Sequence, residues 1–295
     1  MNRVFCIGNG ESRKHLDLET LRPHGKIYGC NAIYRDFMPD VLTAVDHGIM
    51  HEIYHAGVAQ KIPCYFRDWT KVPAMTYEPM LMGGITNLEE AKDALDKVLI
   101  TNEKGDSQEY VMHGSNIQGI VNMIKREPDK FKKDIMYLEK KEINHATIKV
   151  SWIKEPDFSH SLTDICVENN GNGLKRDFGW ACGASAGYVA IHREQPDEVY
   201  LLGHDIKSND NHVNNLFAGT KHYVAPENAP TPGVNWEQQW CNLIKEFPRT
   251  KFIKVNPNAD RGPDNVSQPV KLWSIFVGKN VFYTDYPGLA KMVGL

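Results

Sequence analysis

The chain has 295 residues, of which 41% are hydrophobic and 24% are charged. This composition is that of a folded globular protein and excludes an intrinsically disordered chain. The formal net charge of -3 and the isoelectric point near 6.5 leave no basic surplus. This near-neutral charge disfavours a large binding surface for duplex nucleic acid and favours an enzyme that acts on small molecules.

Cysteine placement and hydropathy indicate the compartment. The six cysteines are spread along the chain without a Cys-x-x-Cys pair and stand mostly in apolar runs, so we expect buried, reduced thiols. No stretch approaches the roughly 18 apolar residues that a membrane-spanning helix needs. The N terminus enters a predicted strand directly, without the charged and apolar regions of a signal peptide. We therefore predict a cytoplasmic protein without a membrane span.

Strand and helix patterns alternate along the chain. Short apolar runs that end in turn residues predict buried strands at Arg3–Ile7, Asp40–Val45, Glu198–Leu202 and Lys251–Val255. Helices are predicted at Gly183–Arg193, before Gln195-Pro196, and at Trp236–Glu246. This alternation predicts an α/β fold with a Rossmann-like parallel sheet flanked by helices.

The chain divides into a main domain and an insertion. We predict a nucleotide-binding Rossmann-like domain from residues 1–103 and 181–295. Residues 104–180 are highly charged and contain an Asn/Gly run, which indicates a solvated helical insertion with a mobile loop. Residues 206–235 are polar, carry aromatic side chains and show no periodicity, as is typical of a lid. We call residues 206–235 the lid segment.

The first strand leads directly into Gly8-Asn9-Gly10-Glu11-Ser12. Glycines let backbone N–H groups approach an anion, and a following helical turn adds partial positive charge. We therefore predict a loop that binds a nucleotide phosphate. The third glycine and the acidic partner of a dinucleotide fingerprint are absent, so a tight turn without a ligand is the alternative.

Polar or small residues also follow other predicted strands. Asn31 ends an apolar segment, and its amide can both donate to and accept from a base or a ribose. Asp205 ends an apolar strand, where a parallel sheet exposes side chains to its crevice. The small residues of Gly183–Gly187 allow either close approach by a ligand or tight helix packing.

Residues His51-Glu52-Ile53-Tyr54-His55 match the His-Glu-x-x-His pattern of zinc peptidases. On a helix the two histidines would share one face, with Glu52 as general base. No further ligand stands at a family spacing, so we favour a surface helix with polar residues and predict no metal site.

The order of these motifs resembles glycosyltransferase family 42, the bacterial sialyltransferases, and the related archaeal 6-hydroxymethylpterin pyrophosphokinase-like proteins. The order is strand-GNGxS, CNxxY, a small-residue helix start, a strand that ends in G-x-D, and a lid. The resemblance covers residues 1–46 and 180–223. It implies a Rossmann-like fold with a lid, which binds a CMP-sugar or similar donor and transfers the sugar without an obligatory metal.

The resemblance implies site residues position by position. Donor contacts fall on Gly8, Asn9, Gly10 and Ser12, and a nucleotide contact falls on Asn31, while a family asparagine aligns with Asp46 and a family Ser-Gly pair with Cys182-Gly183, near Ser185. One phosphate-stabilising tyrosine of the family aligns with Lys207, and the second falls near Asn214. His222-Tyr223 matches a family His-Tyr pair, whereas the family base position falls near Pro226.

These residues predict a nucleotide-sugar-dependent glycosyltransferase. His222 would deprotonate the acceptor, and Lys207 and Tyr223 would stabilise the leaving phosphate. A glycan is the favoured acceptor, and the sequence is compatible with a homo-oligomer. Two alternatives stay open: a Mg²⁺-dependent pyrophosphokinase-like phosphotransferase that uses Asp46 and Asp205, and a non-catalytic nucleotide-binding protein that has lost its base.

Overall fold

The fold was analysed in a computed structural model, which describes residues 1–67, 69–73, 109–113, 149–152, 155–162, 165, 181–208, 211–256 and 270–295. The strands are β1 (Arg3–Ile7), β2 (Lys26–Cys30), β3 (Val41–Ala44), β4 (Cys64–Phe66), β5 (Trp69–Pro73), β6 (Glu109–His113), β7 (Lys149–Trp152), β8 (Ser159–Ser161), β9 (Glu198–Leu202), β10 (Lys251–Val255) and β11 (Val281–Thr284). The α-helices are α1 (His47–His55), α2 (Cys182–Glu194), α3 (Val234–Glu246) and α4 (Tyr286–Val293). Short 3-10 helices span Glu11–Arg13, Leu18–His24, Asn31–Arg35 and Lys271–Phe276.

Eight strands form one parallel sheet in the order β11-β10-β9-β1-β2-β3-β4-β8. The chain builds outward from β1 through β2, β3 and β4, and it later returns to the other side of β1 with β9. The strand order therefore reverses between β1 and β9, and ligands of open α/β sheets bind outside the carboxyl ends of the strands at such a point. The predicted α/β, Rossmann-like fold is confirmed.

The apolar runs of the central strands follow from burial on both faces. Phe5 and Ile7 of β1 pack in a cluster that includes Ile53 of α1. Val4 and Cys6 point to the opposite face and pack in a second cluster, which includes Val189 of α2. A strand covered on both sides has no solvent-facing positions, so its sequence does not alternate between polar and apolar residues.

Predicted and observed boundaries agree closely for the main sheet. The bounds of β1, β9 and β10 are those predicted, and β3 is one residue shorter at each end than the predicted Asp40–Val45. Helix α2 is one residue longer at each end, and Gln195 then ends it in the left-handed conformation with φ of 46°. Helix α3 begins at Val234, two residues before the predicted start.

Only parts of the predicted insertion, residues 104–180, lie within the described chain. Strand β6 pairs antiparallel with β5 and β7 in a separate three-stranded sheet. Strand β8 joins the main sheet beside β4, so the main sheet takes one strand from inside the insertion range. The predicted helical character and the Asn/Gly loop lie outside the described residues. None of the helices in the described residues is both long enough and apolar enough to cross a membrane.

Candidate functional site

The predicted phosphate loop packs against the turn that follows β9. We call these two turns, Gly8–Ser12 and Gly203–Asp205, the β1–β9 junction. The amide of Gly8 donates to the carbonyl of Leu202 at 2.7 Å, and the amide of Gly10 donates to that of Gly203 at 2.8 Å. A Cβ added at Gly8 would lie 2.3 Å from the Gly203 oxygen. The close approach of two backbones therefore accounts for glycine at this position.

The next two backbone amides of the loop donate hydrogen bonds to side chains of the protein. The amide of Glu11 donates to Oδ1 of Asn214 at 2.8 Å, and that of Ser12 donates to Oδ2 of Asp205 at 2.9 Å. Burial raises the pKa of the Asp205 carboxyl, against the opposing charge of Lys254. Protein acceptors thus fill positions at which the sequence predicts phosphate oxygens.

Arg13 is a buried residue beside the junction to which the sequence analysis gave no role. Its side chain is buried, and burial lowers the pKa of its guanidinium. Its Nε donates to the carbonyl of Gly8 at 2.7 Å, and Nη2 donates to Oδ1 of Asn9 at 3.3 Å. Nδ2 of Asn9 in turn donates to the carbonyl of Cys30 at 3.0 Å. Asn9, a predicted donor contact, therefore ties the end of β1 to the end of β2.

The carboxyl ends of β2 and β3 present a different set of groups. We call Asn31, Asp46 and the first turn of α2, Cys182–Ser185, the β2–β3 site. Asn31 has a φ of 50° in the left-handed region, which residues other than glycine seldom adopt and which asparagine adopts more often than most. Within the described chain, its buried Oδ1 accepts no hydrogen bond. Buried acceptors are normally paired, so this oxygen is suited to receive a donor from a ligand.

Helix α2 begins beside these strand ends. Sγ of Cys182 donates to the carbonyl of Thr43 at 3.0 Å, and Oγ1 of Thr43 lies 3.2 Å from the carbonyl of Cys182, to which it donates. The N-cap residue of this helix is Ala181, and within the described chain no side-chain hydrogen bond caps the first amides, which carry partial positive charge. Asp46 is exposed nearby, and its charge contributes to the raised pKa of the Cys182 thiol, which is due first to burial.

Two other residues of the small-residue run have packing roles. A Cβ at Gly183 would lie 2.8 Å from Cε1 of His204. Ser185 is buried, and its amide donates to the carbonyl of Ala181 at 3.0 Å. Tight packing, one of the two alternatives for this run, thus describes Gly183 and Ser185.

The lid segment is anchored on the strand ends in its middle part. The amide of Leu216 donates to the carbonyl of Asn9 at 2.9 Å. Phe217 is 5% exposed and belongs to the same core cluster as Phe5. The hydroxyl of Tyr223 accepts from the amide of Ala32 at 3.2 Å, next to Asn31. Residues 216–223 therefore cover the carboxyl ends of β1 and β2.

Glu52 of the His-Glu-x-x-His segment connects three elements. Its Oε1 accepts from the Tyr34 hydroxyl at 2.5 Å and from Nη2 of Arg35 at 2.6 Å. Its Oε2 lies 3.2 Å from Nε2 of His222 in the lid segment. Burial acts to raise the pKa of Glu52, but the hydrogen bonds from Tyr34 and Arg35 hold it below its ordinary value.

The rest of that segment packs into the core. The His51 side chain is buried, with its ring centroid 5.1 Å from that of Trp69. Within the described residues, no group of three or more His, Cys, Asp or Glu side chains could hold a metal ion. The segment lies on the nine-residue helix α1.

His204 is a titratable residue to which the sequence analysis gave no role. Its Nε2 lies 3.1 Å from the carbonyl of Cys6, and its ring makes an edge contact with Trp240. Burial, helped by the positive charge of Lys254, lowers its pKa to about 3. The imidazole is therefore neutral at neutral pH and supports the packing of α2 and α3 on the sheet.

The structure separates the predicted site residues into four groups. The β1–β9 junction contains Gly8, Asn9, Gly10, Ser12 and Asp205. The β2–β3 site contains Asn31, Asp46, Cys182, Gly183 and Ser185, and Tyr223 lies next to it, beside Ala32. His222 lies against Glu52, and Lys207 is exposed at the start of the lid segment.

Comparisons of the chain with protein-family models, curated proteins and solved structures gave no match.

Proposed function

We propose that the chain is a nucleotide-sugar-dependent glycosyltransferase whose donor binds at the β2–β3 site. The observation that carries this proposal is Asn31, which combines a left-handed backbone with a buried Oδ1 that has no hydrogen-bond partner in the described chain. Strained residues and unpaired buried polar groups concentrate at functional sites. An amide oxygen here can accept from the amino group of a base or from a ribose hydroxyl.

In this proposal three groups besides Asn31 act on the donor phosphate. The start of the 13-residue helix α2, which no side chain of the described residues caps, offers amides and partial positive charge. The Tyr223 hydroxyl accepts from Ala32, so its own proton is left to donate to a phosphate oxygen. Burial raises the pKa of Tyr223 and keeps that proton in place. Lys207, exposed at the start of the lid segment, adds positive charge for the leaving group.

The proposed reaction transfers a sugar from a CMP-sugar or similar donor to a hydroxyl, with a glycan as the favoured acceptor. His222 takes the proton of the acceptor hydroxyl, and the acceptor oxygen forms a bond with the anomeric carbon. The bond between that carbon and the phosphate oxygen breaks, and the nucleotide leaves with the electron pair. Tyr223 and Lys207 stabilise the charge that develops on the phosphate.

The position of the two carboxylates argues against the phosphotransferase alternative. Asp46 follows β3 and Asp205 follows β9, and the strand order places β1 and β2 between them. Three strand spacings amount to roughly 14 Å, which is too far for one Mg²⁺ to join both carboxylates. Asp205 also already accepts the amide of Ser12.

Nucleotide binding and donor turnover together test the proposal. A thermal-shift screen with cytidine, uridine, guanosine and adenosine nucleotides identifies the nucleotide class, because a ligand of the folded state raises its melting temperature. Sugar donors of that class are then assayed for hydrolysis and transfer. We expect one nucleotide class to stabilise the chain and Asn31→Gly to weaken its binding by about tenfold, the worth of one hydrogen bond.

Gln195→Gly is the matched control, because Gln195 also has a left-handed backbone but lies at the far end of α2. It should leave nucleotide binding unchanged. Stabilisation by no nucleotide would reject the proposal. Binding without turnover of any donor would support the non-catalytic alternative, and a requirement for ATP and Mg²⁺ would support the phosphotransferase.

A further inference from the structure

We infer that Glu52 is the positioning residue of His222: its carboxylate fixes the imidazole in the tautomer that carries its proton on Nε2. The inference rests on the proposed function for the role of His222 as a base. Nothing in the sequence motifs assigned Glu52 to the transfer reaction. The pair joins helix α1 to the lid segment across 170 residues of sequence.

The geometry of the pair supports the assignment. Nε2 of His222 lies 3.2 Å from Oε2 of Glu52, and the side chains are only 9% and 19% exposed. Within the described chain, Oε2 makes no hydrogen bond, so its contact with the imidazole is a close electrostatic one, in which the carboxylate disfavours a lone pair on Nε2. Low exposure strengthens this attraction relative to that of a surface pair.

Glu52 is itself held in place from another element. Tyr34 and Arg35 donate three hydrogen bonds to Oε1, from the Tyr34 hydroxyl at 2.5 Å and from Nη2 and Nε of Arg35 at 2.6 Å and 3.0 Å. These bonds fix the carboxylate, whose Oε2 lies 3.2 Å from Nε2 of His222. The guanidinium also donates to the carbonyl of Lys221 at 3.1 Å, the residue before His222. Arg35 therefore fixes both members of the pair.

The backbone of His222 is fixed as well. Its φ of 69° lies in the left-handed region, which is unusual for a residue other than glycine. Such a conformation persists only where the surroundings determine it, and it is common at active sites. Here the hydroxyl of the next residue, Tyr223, is bound by the amide of Ala32.

A fixed carboxylate decides which imidazole nitrogen acts as the base. A proton on Nε2, beside the carboxylate of Glu52, leaves the lone pair on Nδ1. In the transfer step Nδ1 takes the proton of the acceptor hydroxyl, and the carboxylate stabilises the imidazolium that forms. A base that is oriented by a third group is the usual arrangement for activating a hydroxyl.

The same 3-10 helix, Asn31–Arg35, also carries the proposed nucleotide contact. Asn31 begins this helix, and Tyr34 and Arg35 end it. A nucleotide bound at Asn31 therefore adjoins the element that holds Glu52 and, through it, His222. One short 3-10 helix thus carries the donor contact and the two residues that hold the partner of the base.

Nitrogen NMR tests the pair without any substrate. Uniform ¹⁵N labelling, with His222→Gln to assign the resonances, reports which ring nitrogen carries the proton. We expect the wild-type chain to show the Nε2–H tautomer. In Glu52→Gln the ring resonances of His222 should move, and the midpoint of their titration should shift to lower pH because the imidazolium loses its counter-charge.

Kinetics test the consequence for the proposed reaction. Glu52→Gln should lower kcat by about 100-fold, the low end of the range for general-base catalysis, and leave the donor KM within about twofold. The acid limb of the kcat profile should move to lower pH. The matched control is Glu19→Gln, which removes an exposed carboxylate that pairs with Arg22 away from the site. Tyr34→Phe is the milder variant, since it removes one hydrogen bond to Glu52 and keeps both charges.

Each outcome decides one of the two proposals. An Nδ1–H tautomer in the wild type, or His222 resonances that are unchanged in Glu52→Gln, would overturn the pair whatever the donor assays give. A Glu52→Gln variant that loses stability but keeps the wild-type kcat and pH profile would show a structural carboxylate and also overturn it. If the resonances move as expected and the wild type turns over no donor, the pair is confirmed and the transferase proposal fails. If Glu52→Gln does not fold, Tyr34→Phe gives the same readouts with smaller changes.

Discussion

The β1–β9 junction and the β2–β3 site lie at the same ends of neighbouring strands, yet their polar groups are used differently. In the junction, the amides of Gly8, Gly10, Glu11 and Ser12 all donate to acceptors of the protein itself. At the β2–β3 site, within the described residues, Oδ1 of Asn31 has no partner and no side chain caps α2. A glycine-rich turn after a strand therefore does not identify a ligand site by itself, because two closely packed backbones require the same glycines.

Both regions are covered by the lid segment, and Phe217 is the residue that anchors it. Phe217 is 5% exposed, and the guanidinium carbons of Arg13 and Arg35 lie 6.0 Å and 5.9 Å from its ring centroid. Phe217→Ala should lower the free energy of unfolding by about 3–5 kcal/mol, the usual cost of removing a buried phenyl ring. Urea denaturation measures the loss. The control Val224→Ala, at a side chain that is 52% exposed, should change it by less than about 0.5 kcal/mol. If both variants lost only a small and equal free energy of unfolding, the lid segment would not be part of the core.

The glycine contacts of the junction give the second prediction. Gly203 and Gly278 have similar φ values, 66° and 77°, but an added Cβ would lie 2.7 Å from the Gly8 oxygen at the first and have no neighbour within 4 Å at the second. Gly278→Ala should cost about 1–2 kcal/mol for the left-handed backbone alone. Gly203→Ala should cost about 1–3 kcal/mol more, because the junction must also open. Equal midpoints of chemical denaturation would contradict the close packing of the two turns.

His204 makes the junction sensitive to acid. Its pKa is lowered to about 3 in the folded chain, against an ordinary value near 6.5. The unfolded chain therefore binds the proton first, so the contribution to stability is complete above pH 6.5 and is lost as the pH falls toward 3. Between pH 7 and pH 5 we expect a loss of about 2 kcal/mol.

Denaturation of His204→Gln across that range tests this origin of the acid sensitivity. Glutamine keeps an N–H donor for the carbonyl of Cys6 and does not titrate, so the loss between pH 7 and pH 5 should be smaller by about 2 kcal/mol in the variant. His15→Gln, at an exposed histidine, is the control and should follow the wild type. A His204→Gln curve parallel to that of the wild type would assign the sensitivity to other groups.

Local patterns in the sequence predict the sheet but not the use of its polar groups. Strands β1, β9 and β10 follow from continuous apolar runs, because burial on both faces leaves a strong local signal. The lid segment was predicted from polarity and lack of periodicity, which do not reveal that Phe217 enters the core. Its anchoring depends on Arg13 and Arg35, which are about 200 residues away in sequence.

The candidate site illustrates the same limit. Asn9 and Asn31 both follow apolar strands and carry the same side chain, so the sequence assigns them the same role. The structure distinguishes them by long-range contacts: Asn9 binds Cys30 and Arg13, whereas Oδ1 of Asn31 is unpaired in the described residues. The Glu52–His222 pair joins residues that no local pattern connects.

These two asparagines give the prediction with the smallest effect on stability and the closest comparison of the two regions. Asn9→Ala removes a donor to the carbonyl of Cys30 and an acceptor from Arg13, so the free energy of unfolding should fall by about 1–2 kcal/mol. Asn31→Gly should change it by less than about 1 kcal/mol, because relief of the left-handed backbone offsets the greater freedom of the unfolded chain.

The effects on nucleotide binding should be the reverse of those on stability. With the nucleotide found in the thermal-shift screen, calorimetric titration should give an affinity within about twofold of the wild type for Asn9→Ala, and about tenfold weaker for Asn31→Gly. The two variants then differ in opposite directions on two independent measurements, which a general loss of folding cannot produce. If Asn9→Ala lost more affinity than Asn31→Gly, the nucleotide would bind at the glycine loop of the β1–β9 junction. The roles that we assign to the two regions would then be reversed.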